Sequence, residues 1–62
     1  MRVGDLVKFK PNARPHWYIA ALRPSVFLVD RTCGGFIGLH GYRERGLIAK
    51  ANFDLVRSAD GN

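Results

Sequence analysis

Apolar and polar residues alternate at the start of the chain. Val3, Val7 and Phe9 share one parity, Lys8 and Lys10 take the other, and Gly4-Asp5 forms a turn between them. A period of two marks a half-buried strand, so Met1 to Lys10 is expected to be a strand with an opening turn. Pro11 to Pro15 carries two prolines and an asparagine and reads as a loop. The apolar run His16-Trp17-Tyr18-Ile19-Ala20-Ala21-Leu22 is too short for an independent helix and is expected to be irregular or extended. Arg23-Pro24 breaks the chain again. Ser25 to Thr32 is rich in Val, Phe and Leu, which suit a pleated surface. Cys33-Gly34-Gly35 then reads as a tight turn and Phe36 to Tyr42 as the return strand. Gly38 and Gly41 inside that strand point to a strong bend, a bulge or a close backbone approach. Arg43-Glu44-Arg45-Gly46 is a polar turn and Leu47 to Lys50 a short strand. Ala51-Asn52-Phe53-Asp54 is expected to form one turn of helix or 3₁₀ helix that Asn52 caps, and Leu55 to Arg57 the last strand. The pattern is all-β, with a domain over residues 1–57 and a flexible tail over residues 58–62.

Composition narrows the picture. A chain of 62 residues with a 47% hydrophobic share forms one domain with a thin core. Chains of this size bury only about 60% of their unfolded surface, which makes a homo-oligomer a reasonable expectation. The lone cysteine, Cys33, has no partner for an intramolecular disulfide and suits a reducing compartment. It is expected at a turn or strand end. No stretch approaches the roughly 20 apolar residues of a membrane span. Met1-Arg2-Val3-Gly4-Asp5 lacks the apolar region of a secretory leader. The expected location is therefore the cytoplasm, with no membrane partner. Ten Lys and Arg against five Asp and Glu give a net charge of +5. That balance favours an acidic partner, although a charge of about 2 to 8 is also ordinary for a small soluble domain.

Two stretches carry a resemblance. Val3-Gly4-Asp5-Leu6-Val7-Lys8-Phe9 at the start and Asn52-Phe53-Asp54-Leu55-Val56 at the end resemble the small SH3-like barrels of bacterial and bacteriophage proteins. The resemblance implies a five-stranded barrel with one short 3₁₀ turn before the last strand. It also implies a small accessory protein of a phage or mobile element. It specifies no activity, because this architecture hosts many unrelated ones. The aromatic residues fit core or strand positions, and no tyrosine-rich groove for proline-rich peptides is visible.

Candidate chemistry concentrates in two basic stretches. Lys8, Lys10, Arg14, His16, Trp17 and Tyr18 surround the first loop, and Arg43, Arg45 and Lys50 the later turn. Cations with interleaved aromatics suit phosphates and stacked bases. Trp17 and Tyr18 with a basic rim equally suit an acidic protein surface. A solvated face, with Trp17 closing the core edge, accounts for the same residues. His16, Cys33 and His40 lack metal-ligand spacing, so no metal or other cofactor is expected. The acids Asp5, Asp30, Glu44, Asp54 and Asp60 show no catalytic pairing, and Asp5 and Asp54 suit a turn and a cap. Gly4-Asp5-x-Val7 resembles the opening of the type II dihydrofolate reductases, which build one shared active pore from four barrels. Their pore-lining Val-Gln-Ile-Tyr motif is replaced here by Gly46-Leu47-Ile48-Ala49. The expected function is a non-enzymatic module that docks onto a host or phage protein with an acidic surface. Lys8, Lys10, Arg14, His16, Trp17, Tyr18, Arg43 and Arg45 are its expected contacts. Nucleic-acid binding is the alternative, and a reductase-like oligomer the remote one.

Overall fold

Leu6–Phe9 forms strand β1, and its alternation holds as expected: Val7 and Phe9 are buried while Lys8 is exposed. The computed structural model describes residues 1–18 and 25–60. Residues 19–24, including the second half of the first apolar run, lie outside the described residues. The remaining strands are β2 (Phe27–Cys33), β3 (Phe36–Leu39), β4 (Ile48–Ala49) and β5 (Phe53–Arg57). Short 3₁₀ turns occupy Pro11–Ala13, Arg43–Arg45 and Lys50–Asn52. All strand pairs are antiparallel, in the order β4-β3-β2-β1-β5.

β2 holds the two halves of the sheet together. Phe27 and Leu28 pair with Val7 and Leu6 of β1, whereas Val29 to Cys33 pair with β3. The register slips between Val29 and Arg31, and this bulge lets the strand bend from one half into the other. The halves face each other across a core of Val7, Phe9, Phe27, Val29, Ile37, Leu39 and Phe53. Burying each such side chain stabilises the fold by about 1.5–3 kcal/mol. Cys33 and Phe36 close a two-residue turn in which Gly34 takes a positive φ of 58°, a value glycine adopts without strain. Cys33 is the exposed last residue of β2.

The strand pairing does not close into a barrel. β4 and β5 remain the two edges of the sheet, because β4 is only two residues long and the chain leaves it at once in a 3₁₀ turn. That turn bridges the gap through backbone bonds: Lys50 N–H donates to Gly35 O (2.8 Å) and Lys10 N–H donates to Asn52 O (2.9 Å). Both edges are blunted, β4 by its length and β5 by a bulge at Val56, where the register to β1 jumps from Leu55 to Arg57. Asn52 ends the turn instead of capping it. The residue before the turn is Ala49, and no side chain caps it. The return strand also stops earlier than expected, at Leu39, so Tyr42 lies in the following loop.

Asp5 has a larger role than a turn residue. A positive φ of 97° at Gly4 ends the alternation, which leaves Val3 exposed and turns Asp5 inward, where it is 3% exposed. Its carboxylate accepts the Arg2 N–H (2.7 Å) and the Ala59 N–H (2.6 Å). The two N–H donors, Arg2 first and Ala59 second, hold the carboxyl below its ordinary range. Desolvation opposes them, and the positive chain terminus and Arg2 add to the lowering. Arg2 also pairs with Asp60. One buried carboxylate thus ties the opening turn to the segment that follows β5.

Candidate functional site

Phe9 organises the aromatic cluster. It points into the core from β1 and touches Phe53 (ring centroids 4.5 Å apart), Tyr18 (5.4 Å), Phe27 (5.5 Å) and Trp17 (5.8 Å). Each such pair adds about 0.5–1.5 kcal/mol beyond area burial. Trp17 and Tyr18 come from the first loop, shaped by the 3₁₀ turn Pro11–Ala13 and by the Tyr18 N–H donating to Pro15 O (3.0 Å). Tyr42 comes from the loop between β3 and β4. It stacks against Trp17 at 5.9 Å and meets Phe27 edge-on at 5.4 Å. All three rings are half-buried over the core.

Two arginines complete this corner. The Arg45 guanidinium lies 4.9 Å from the Trp17 ring centre, and that of Arg14 lies 5.7 Å from the centre of Tyr18. Arg45 reaches Trp17 from the 3₁₀ turn Arg43–Arg45, so the contact joins the two loops. Arg43 belongs to the same turn and is exposed. Arg14, Trp17, Tyr18 and Arg45 therefore come together, with Arg43 close by in the chain. Lys8 does not join them. It faces away from the core on β1, opposite Asp54 in register. Lys10 lies just beyond β1, its Nζ 3.6 Å from Asp54 Oδ1. His16 is exposed beside Trp17 in the chain.

Charge pairing shows where the positive excess resides. Asp30, Glu44, Asp54 and Asp60 pair with Arg31 (3.2 Å), Arg45 (4.0 Å), Lys10 (3.6 Å) and Arg2 respectively. The exposed ones contribute about 0–1 kcal/mol each and mainly neutralise the acids, while the Asp30–Arg31 pair is partly buried. Among the described residues, Lys8, Arg14, Arg43, Lys50 and Arg57 make no ion pair. No group of His, Cys, Asp or Glu among the described residues is arranged to hold a metal ion.

Tyr42 joins this arrangement unannounced by the sequence, and Arg31, elsewhere on the sheet, has an equally unannounced neighbour. Tyr42 was expected to end a strand, and only the early stop at Leu39 frees it to cover Trp17. Arg31 lies over its register partner Gly38, where an added Cβ would come 2.5 Å from Nη2. Gly38 therefore marks the close approach of a side chain and not of backbone, and the bulge falls on the facing strand. No family model, curated protein or solved structure matches the chain.

Proposed function

We propose that this protein is a non-enzymatic binding module of the SH3-like kind. Its aromatic-arginine corner docks onto a protein with an acidic surface. The strand order β4-β3-β2-β1-β5, with a 3₁₀ turn before the last strand, supports the fold assignment even without closure. The observation that carries the function is the convergence of Trp17, Tyr18 and Tyr42 with Arg14 and Arg45 on one half-buried surface. Rings of this kind are favoured interface anchors, and cations around them select and steer an acidic partner. An accessory role in a phage or mobile element follows from the family resemblance.

Nucleic acid is the second reading, supported by the same cations. The packing of Trp17 favours the protein reading. Phe9, Tyr42 and Arg45 already hold its ring, so a base stacking there would have to displace one of them. The carboxylates of the described surface are each committed to a cation, which supports a binding role over acid-base chemistry.

A fluorescence-anisotropy titration separates the readings. The probes are a labelled glutamate-rich polypeptide and labelled single- and double-stranded DNA and RNA, at low and near-physiological salt. The protein reading expects the polypeptide to bind with a shallow salt dependence and to be lost on Trp17→Ala. Circular dichroism should show that this variant keeps its sheet. Nucleic-acid binding that survives near-physiological salt and then falls log-linearly overturns it.

A further inference from the structure

The outward face of the β2-β1-β5 half, on the far side of the sheet from the aromatic cluster, carries a shallow, open depression of about 310 Å³ with a mixed polar and apolar lining. Leu6, Leu28 and Arg57 line it with Gly4, Ser58 and Ala59. Strand alternation accounts for its floor: Val7, Phe27 and Val29 turn inward, so Leu6 and Leu28 turn outward, paired in register. Leu28 remains 39% exposed. Arg57 stands opposite Leu6 across the β5 bulge and makes no ion pair among the described residues. One wall is fixed by Asp5, which accepts the Ala59 N–H and so holds Ser58 and Ala59 over the strands. Gly4 and Ala59 approach closely, since a Cβ on Gly4 would lie 3.2 Å from that of Ala59.

We infer that this depression is a second docking site, one that takes an acidic peptide segment. An aliphatic side chain rests on Leu6 and Leu28, and a neighbouring carboxylate meets Arg57. The depression is open to solvent, so it suits one side chain resting on its floor. Charge selects the occupant. Arg57 on the rim favours a carboxylate, because a fork of guanidinium donors binds one in two places, and Lys8 adds positive charge farther along the same face of β1, opposite an Asp54 that Lys10 already neutralises. A second copy of the chain is disfavoured: it carries a net charge of +5, and the exposed acids of the described surface are already paired. Nucleic acid would place phosphate on Arg57 and leave the leucines against water.

The test is an NMR titration of the full chain with an acetylated, amidated peptide Asp-Glu-Leu-Glu. Its controls are the same peptide with alanine for leucine, the peptide Lys-Lys-Leu-Lys, and a short oligonucleotide. The expected result is saturable shifts of the Leu6, Leu28, Arg57 and Ala59 amides, with both control peptides weaker by roughly fivefold or more. Arg57→Gln should weaken the acidic leucine peptide by roughly fivefold. Leu28→Ser, an outward position that leaves the core intact, should do the same. Four results overturn the site: no shift at millimolar peptide, equal binding of the alanine peptide, displacement by the oligonucleotide, or concentration-dependent shifts of these amides without peptide. Shifts confined to Trp17 and Arg45 also overturn it, and they leave the aromatic-arginine corner standing on its own test.

Discussion

Two surfaces of this domain combine apolar side chains with arginine, and they are built in different ways. The aromatic corner comes from loops: Trp17, Tyr18 and Tyr42 leave the sheet and fold back onto Phe9 and Phe27, with Arg14 and Arg45 over them. The outward face comes from strands: Leu6, Leu28 and Arg57 stand where alternation and register put them. In the corner, the proposed binding atoms and the core atoms are the same rings, so binding there would be coupled to stability. On the outward face they are separate, because the buried side chains of β1 and β2 point the other way. A substitution on that face should therefore disturb stability less than one in the corner.

The largest effect should come from removing what the corner rests on. Phe9→Ala takes away a buried ring that touches Trp17, Tyr18, Phe27 and Phe53. It should cost about 3–5 kcal/mol in a urea titration followed by Trp17 fluorescence. In a domain this small that approaches the whole stability. A loss under about 1 kcal/mol would mean that the loops hold the corner without the core, and the contrast between the surfaces would collapse.

The outward face has its own support in Asp5, and pH tests it. The folded state lowers the Asp5 carboxyl below its unfolded value, near 3.9, because Arg2 and Ala59 donate to the charged form. The stability this gives is therefore complete above about pH 4 and is lost as pH falls through the lower, folded value. Denaturation midpoints from pH 7 to pH 2 should show an acid limb that Asp5→Asn flattens, with lower stability at neutral pH. Amide exchange at Ala59 should accelerate in the variant while that of Phe9 changes little. An acid limb identical in both proteins would remove Asp5 as the clasp.

A milder change at Arg45 separates the two surfaces. Arg45→Gln removes a cation over a half-exposed ring, a contribution of about 0.5–1 kcal/mol. The melting temperature should fall by only a few degrees. Binding of the glutamate-rich polypeptide should fall several-fold, while the Asp-Glu-Leu-Glu peptide on the outward face is unaffected. Equal loss of both ligands would show that the two surfaces are one.

Local patterning made much of the fold legible. The parity of Val7 and Phe9 and the Gly34-Gly35 turn are short-range matters of sterics and alternation and appeared where expected, whereas the turn before the last strand formed earlier, over Lys50–Asn52, and left Phe53 and Asp54 to β5. The site was legible in part. Arg14, Trp17, Tyr18 and Arg45 were named as residues, but their meeting was not readable, since Trp17 and Arg45 lie far apart in the chain and come together only when the β3–β4 loop folds back.

Residue patterning alone set the class of the fold and the sign of its charge. Two-residue periodicity, glycine-permitted turns and an excess of Lys and Arg act within a few residues of each other or sum over the whole chain. The tertiary structure decided the rest. It left the sheet open at β4 and β5, because a two-residue strand cannot span the gap. It carried Asp5 into the interior, because Ala59, 54 positions away, supplies the N–H that a buried carboxylate requires. It set Tyr42 and Arg45 against Trp17, because ring packing and cation–π attraction depend on distance in space, which alternation along the chain does not encode.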